Sequence, residues 1–421
     1  MRRTSLLAAA TCVVLSLGLA ACGGGESGSD SPADPGKPLQ FVLSGDANQG
    51  GGYATMAKKY EQATGTKIEV VDVPYDDLNT KVRNSALAKD LPALGRMPAI
   101  DPTWLDSTVD LKAVAEKNKV NTALAAVDGD GKVVSLPSDL TAVGLYLNKN
   151  LFDQAGVKYP ATVADIWTWD EFVAAVKQVQ AKTDAKYGMV MDRSSHRLSS
   201  FLYEFGSEGF NPDAQGQYQT NDQTKVALEY FKKLNDDKFM PRSVWLSEAD
   251  PSALFKSGKV AAYYSGSWQI ADFAKNIKDF EPISVYLPKE KVRAANYGTA
   301  ANMVVFEGTG QEQQATDFVS WLYAPENYAE LAKISGFLPV VEGVKVDYTT
   351  NAKAFQLYNE EIAATPKFVE EQKKRDLKLQ VEGKTTDGDP MREETIKYLN
   401  DEQDVDKTIA NIKERLTDGL S

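Results

Sequence analysis

The chain has 421 residues, a formal net charge of −12, and 43% hydrophobic and 10% aromatic content. That suffices for a real core and for two or three domains of the usual ~100–200 residues. The acidic balance argues against nucleic acid as a partner and against docking on anionic lipid by charge. A single histidine falls short of the three or four His/Cys ligands of a usual zinc site, because neither cysteine is expected to be free in the mature chain.

At the amino end, Arg2 and Arg3 precede an apolar stretch from Leu6 to Ala21 that Thr11, Ser16 and Gly18 interrupt. It is shorter than the ~20 apolar residues a membrane span needs, and it ends in small residues, the pattern of a cleaved secretory leader. Leu19-Ala20-Ala21-Cys22 resembles a bacterial lipobox, in which the Cys thiol is acylated and heads the mature chain. A signal peptide over 1–21 and a lipid on Cys22 are therefore expected, holding the protein on the extracellular face of the cell membrane. Cys12 would leave with the leader, so no disulfide is expected in the mature chain. Residues 22–38, rich in Gly, Ser, Asp and Pro, read as a flexible tether.

Leu39 to Leu43 reads as a strand, Ser44 to Tyr53 as a glycine-rich loop, and the next segment as a helix with Met56, Tyr60 and Ala63 on one face and Gly65 past its end. Ile68 to Val73 is the next strand, which completes a unit of a parallel sheet. Gly50-Gly51-Gly52 is not a phosphate cradle, since no Gly-Lys-Ser/Thr follows. Asp128-Gly129-Asp130-Gly131 lacks the later ligands of a calcium loop and reads as a tight turn before the strand Lys132 to Leu136. Thr168-Trp169-Asp170-Glu171 fits a capping box, and Phe172, Val173, Val176 and Val179 mark a buried helix face. Val260 to Tyr264 and Met303 to Phe306 read as strands; Ala315, Phe318, Val319 and Leu322 lie at helical spacing, and Pro325 suits a helix start. The alternation indicates an α/β fold.

Several of these segments, in this order, resemble the sugar-binding branch of family 1 of the bacterial extracellular solute-binding proteins. They are Gly131-Lys132-Val133-Val134-Ser135-Leu136-Pro137, Leu145-Tyr146-Leu147-Asn148-Lys149-Asn150-Leu151-Phe152, and Thr168-Trp169-Asp170-Glu171-Phe172. Phe255-Lys256-Ser257-Gly258-Lys259-Val260-Ala261 with Gly266-Ser267-Trp268, Ala324-Pro325-Glu326-Asn327, and Gly336-Phe337-Leu338-Pro339 continue the series. The chain departs from the pattern at Leu91-Pro92-Ala93-Leu94 and around Asn302. The resemblance implies a two-lobe, type II periplasmic-binding-protein-like fold with a hinged inter-lobe cleft. It places one lobe at 39–140 and 296–342 and the other at 141–295 and 343–421. The implied function is capture of an oligosaccharide outside the cell and delivery to the permease subunits of an ABC importer, as a monomer without a cofactor.

A sugar presents hydroxyls at its edge and C–H groups on its faces, so its site needs carboxylates or amides and a flat aromatic ring. By resemblance Trp268 is the first candidate to stack on a sugar. Trp104, beside Asp101 and Asp106, pairs a ring with acceptors, and Trp245 lies in the loop Arg242 to Glu248. Asp139 follows Leu136-Pro137, at the expected crossing. Asp46 and Asn48 lie at the carboxyl end of the first strand, where open α/β sheets bind ligands. Tyr297, Thr299 and Asn302 occupy the expected return crossing, and Arg193 and His196 are polar candidates on the second lobe. Trp169 and Trp321 read as scaffold. A non-sugar solute such as a peptide is the nearer alternative ligand. A lipid-anchored glycoside hydrolase would need two carboxylates ~5–9.5 Å apart, and no nucleophile motif such as G-x-S-x-G occurs.

Overall fold

The computed structural model describes residues 37–348, 351–384, 386 and 388–420. The leader, Cys22 and nearly all of the tether lie outside the described residues. In chain order the strands are β1 (Leu39–Leu43), β2 (Ile68–Asp72), β3 (Leu94–Met97), β4 (Ala126–Val127), β5 (Val133–Pro137), β6 (Thr141–Asn148), β7 (Tyr187–Met191), β8 (Asn211–Pro212), β9 (Tyr218–Gln219), β10 (Val260–Gly266), β11 (Pro282–Val285), β12 (Tyr297–Gly298) and β13 (Asn302–Val305).

One sheet has the order β2-β1-β3-β13-β5-β4. β1 runs parallel to β2 and β3, as the β-loop-α-β reading predicts, whereas β13 runs antiparallel to β3 and β5. Four of the five residues of β1 are buried, because helices cover both faces of this sheet. One face holds Phe41, Met56, Leu94 and Phe318; the other holds Val42, Met97, Trp104 and Phe306. In the helix Gly52–Thr64 the buried stripe is Tyr53, Met56, Ala57 and Tyr60. Ala63 is exposed, so the stripe ends one turn earlier than its spacing suggests. Two glycines at the helix start have a steric cause: a Cβ on Gly50 would meet Ile334 O at 2.4 Å. A Cβ on Gly52 would meet Ser335 Oγ at 2.0 Å, so the loop seats directly against the helix Pro325–Ser335.

The second sheet has the order β11-β6-β10-β7, with β12 pairing to β6. Its core includes Leu145, Phe172, Met189, Phe231 and Tyr264. The capping box forms: Glu171 Oε2 accepts from Thr168 N at 2.8 Å, and Glu171 N donates to Thr168 Oγ1 at 3.2 Å. Between β4 and β5, Asp128 accepts from Asp130 N and Lys132 N, closing a turn as expected.

The chain passes between the sheets at 138–140, at 299–301 and after Val341. The second crossing follows β12 because Tyr297 and Gly298 still pair with Ala142 and Thr141 of the second sheet. Beside the first, Leu140 and Leu338 exchange backbone hydrogen bonds. The helices Ala352–Ala364, Pro390–Leu399 and Val405–Asp418 pack on the second lobe through Phe355, Tyr358, Tyr398, Leu399 and Val405. The helix Lys367–Val381 touches both lobes. Gln372 and Arg375 bond Asn211 on the second, while Gln380 accepts from Ile100 N on the first. The stretch 343–421 is therefore not confined to one lobe.

Candidate functional site

The cleft between the lobes is built from chain that leaves the carboxyl ends of strands, where backbone turns expose side chains rather than bury them. After β10 the turn Ser265-Gly266-Ser267 delivers Trp268, which is half-buried. Its ring lies so close to Gly266 that a Cβ there would fall 2.0 Å from it, so the glycine fixes the ring's place. Arg197 sits over the ring at 4.1 Å from the centroid, and His196 lies 6.4 Å away centroid to centroid. Both belong to the helix Ser195–Glu204, which Ser194 caps after β7. Asp192 holds Arg197 at 2.8 Å and accepts from Ser265 Oγ and Tyr263. A cation stacked on an indole face and fixed by a carboxylate keeps both groups in place. Burial, then the charges of Lys373 and Arg197, drive the His196 imidazole well below its ordinary value, so it is neutral at pH 7.

On the first lobe Tyr75 opens the helix Tyr75–Leu87 and leaves 61% of its surface open. Surrounding protein nevertheless raises its hydroxyl pKa, and the charges of Arg197 and Arg96 reach it. A side chain that is both open and surrounded stands on a cleft wall. Tyr75 thus lies on the first lobe within reach of the Arg197 charge.

The other expected residues divide sharply. Trp104 and Trp245 are fully buried, the first edge-on to Phe306 and the second against Phe231, so neither offers a face to a ligand. Asn302 lies inside the first sheet, donating to Met97 O at 3.3 Å. Asp46 accepts from Tyr53 N and Ala54 N at 2.9 and 3.0 Å, serving the amino end of its helix; burial outweighs these bonds and raises its carboxyl pKa. Asn48 is exposed in the adjoining loop. Asp139, 1% exposed, takes Arg96 at 2.5 Å and Ala300 N at 2.6 Å, and Thr299 accepts from Ser138 N at 3.1 Å. Asp139 and Thr299 therefore tie the first two crossings together. Tyr297 is half-buried in β12. Arg193 pairs with Glu248 at the surface.

Asp101 caps the short helix Pro102–Leu105 and pairs with Arg83 at 2.6 Å. Burial opposes its ionisation, but bonds from Thr103 and Arg83 win and hold its carboxyl below the ordinary range. It lines a cavity of about 1040 Å³ that His196, Asn296 and Lys373 also line, between the two lobes and the helix Lys367–Val381. Among the described residues no group of His, Cys, Asp and Glu is arranged to hold a metal ion.

Residues 55–356 match the family model of the bacterial extracellular solute-binding proteins. The chain belongs to this family. A putative binding protein of Brucella abortus is 26% identical over 76% of the chain and 80% of its own length. The lactose-binding protein of Rhizobium radiobacter is 28% identical over 47% of each. Among solved structures, the GacH receptor of Streptomyces glaucescens, determined unliganded and with acarbose, superposes with a TM-score of 0.71 at 20% identity, covering 91% of this chain and 99% of that one. That likeness establishes the two-lobe fold.

In this solute-binding protein the structure puts Trp268 beside Arg197 and Asp101 on the cavity wall, and adds Tyr75, Asp192 and Arg197, which were not among the sequence candidates. One signal was at hand. Asp192 and Arg197 follow β7 and Tyr75 follows β2, so the strand-end rule used for Asp46 applies to them equally.

Proposed function

We propose that this solute-binding protein captures a carbohydrate, an oligosaccharide in particular, outside the cell and delivers it to the permease of an ABC importer. The observation that carries this reading is the half-buried Trp268 at the end of β10, stacked with Arg197, which Asp192 holds. The Trp268 ring suits the C–H faces of a sugar, and the Asp192–Arg197 pair supplies bonds for hydroxyls. The names of the lactose-binding relative and the acarbose complex of the GacH receptor support a saccharide ligand. The cleft performs no bond chemistry in this reading: capture is a hinge closure that the ligand biases. Acylation of Cys22 would hold the receptor near its permease, with residues 23–38 giving it reach. Calorimetric titration of the purified protein against a panel of oligosaccharides tests the proposal. Saturable binding without release of reducing sugar is expected; binding of peptides alone, or turnover of a bound glycoside, overturns it.

A further inference from the structure

The cavity of about 1040 Å³ beside the helix Lys367–Val381 continues the cleft, since His196 lines it and also lies next to Trp268. Its wall is unevenly paired. Of its carboxylates, Asp101 holds Arg83, Asp376 holds Arg375 at 3.2 Å, and Asp389 accepts from Ser195 Oγ at 2.7 Å and from Arg392 N. Lys384 pairs with Glu382 at 3.4 Å. Lys373 also lines the cavity and has no hydrogen bond or ion pair among the described residues. It is half-buried, and desolvation lowers its pKa despite the charge of Asp376. Three polar atoms of residues in this wall, Asn79 Oδ1, Asn296 Oδ1 and Arg375 Nε, are shut off from solvent without a hydrogen-bond partner among the described residues, an uncommon state for buried polar groups.

Resting on the carbohydrate reading above, we propose that the ligand is an anionic saccharide, with a carboxylate or phosphate that Lys373 receives at the end of the cleft nearest the helix Lys367–Val381. The sugar ring at Trp268 and the anion at Lys373 are then two ends of one ligand, with the neutral His196 between them. An acidic protein would repel such a ligand at long range, so a desolvated local cation is the natural means of selecting it. Asn296 and Asn79 come from opposite lobes, and hydroxyls between ring and anion would meet both.

The test is calorimetry of the protein with matched pairs: an oligogalacturonide against the neutral galactose oligomer of the same linkage and length, and a sugar phosphate against its parent sugar. The carboxylate and phosphate arms separate the two sources of charge. At least one anionic partner should bind about tenfold or more tighter than its neutral twin. That margin should shrink as salt rises from about 20 to about 300 mM. In Lys373→Met the ratio should fall to within about twofold. Neutral twins that bind as tightly as both anionic partners overturn the proposal, as does a ratio that Lys373→Met leaves intact. Should that variant fail to fold, the salt dependence of the unaltered protein decides alone. The carbohydrate reading fails separately, when no saccharide of either charge binds.

Discussion

Replacing Asp139 by Ala separates a hinge role from a ligand role. Its carboxylate takes the Arg96 guanidinium at 2.5 Å and the Ala300 amide at 2.6 Å, and the side chains of the ion pair are only 5% and 2% exposed. Removing one partner of a buried pair leaves an uncompensated charge and costs about 3–5 kcal/mol. The unpaired Ala300 N–H belongs to the same network, so its own ~1–3 kcal/mol does not simply add. At about 2–4 °C per kcal/mol for a unit the size of one lobe, the melting temperature should fall by roughly 6–20 °C. Differential scanning calorimetry reads this directly. Asp139→Asn keeps an acceptor for Ala300 N and loses only the charge, so it should fall between the wild type and Ala. An Ala variant that melts within about 2 °C of the wild type while losing more than about tenfold in sugar affinity would refute the hinge role and make Asp139 a ligand contact.

Trp268→Ala should weaken saccharide binding by about tenfold or more, because a stacked ring contributes roughly 1.4 kcal/mol or more; unchanged affinity by calorimetry removes it from the site. Trp245→Ala should do the opposite, costing about 3–5 kcal/mol of stability in denaturant unfolding while the folded fraction keeps its affinity. Glu204 is fully buried, and desolvation drives its carboxyl well above the ordinary 4.5 although Tyr264 and Trp169 donate to it. The folded state thus holds a proton that the unfolded state releases, so stability falls as pH rises above that ordinary value. Glu204→Gln, which keeps the shape without the proton, should flatten the decline in melting temperature toward alkaline pH; parallel curves would refute it. Cys22→Ser should move the protein from the membrane fraction to the medium while the purified chain still binds its ligand.

Elements that depend on neighbours in sequence were legible in advance. The capping box at Thr168, the turn at Asp128 and the first strand-helix-strand unit are each set by residues a few positions apart. The site was harder to read because the relevant contacts span the chain. Trp104 and Trp268 both follow a strand, and nothing local distinguishes them. Trp104 is buried because Phe306, some two hundred positions on, meets it edge-on. Trp268 is only half-buried: Gly266 admits its ring, and what lies over it is the Arg197 guanidinium rather than the packed core. Asp139 looked like a free acceptor because its partners, Arg96 and Ala300, come from a different strand and from the return crossing. A carboxylate's role follows from whether its partners are already present, and that is a property of the tertiary fold.

The same pairings constrain how the lobes can move. Two crossings are fastened to each other by Asp139 and Thr299, and the first is bonded through Leu140 to Leu338, just ahead of the third. The three therefore act as one flexible edge and not as three independent linkers. The helix Lys367–Val381 grips the second lobe through Gln372 and Arg375 and the first through Gln380. On the first lobe its carboxyl end also packs against the helix Pro102–Leu105, the turn Thr122–Leu124 and β4, with Val381 in the cluster around Trp104. This contact between the lobes lies beside the cavity that Lys373 lines. A ligand that reaches from Trp268 to Lys373 would add a link between the lobes beside this helix, which gives closure its dependence on ligand.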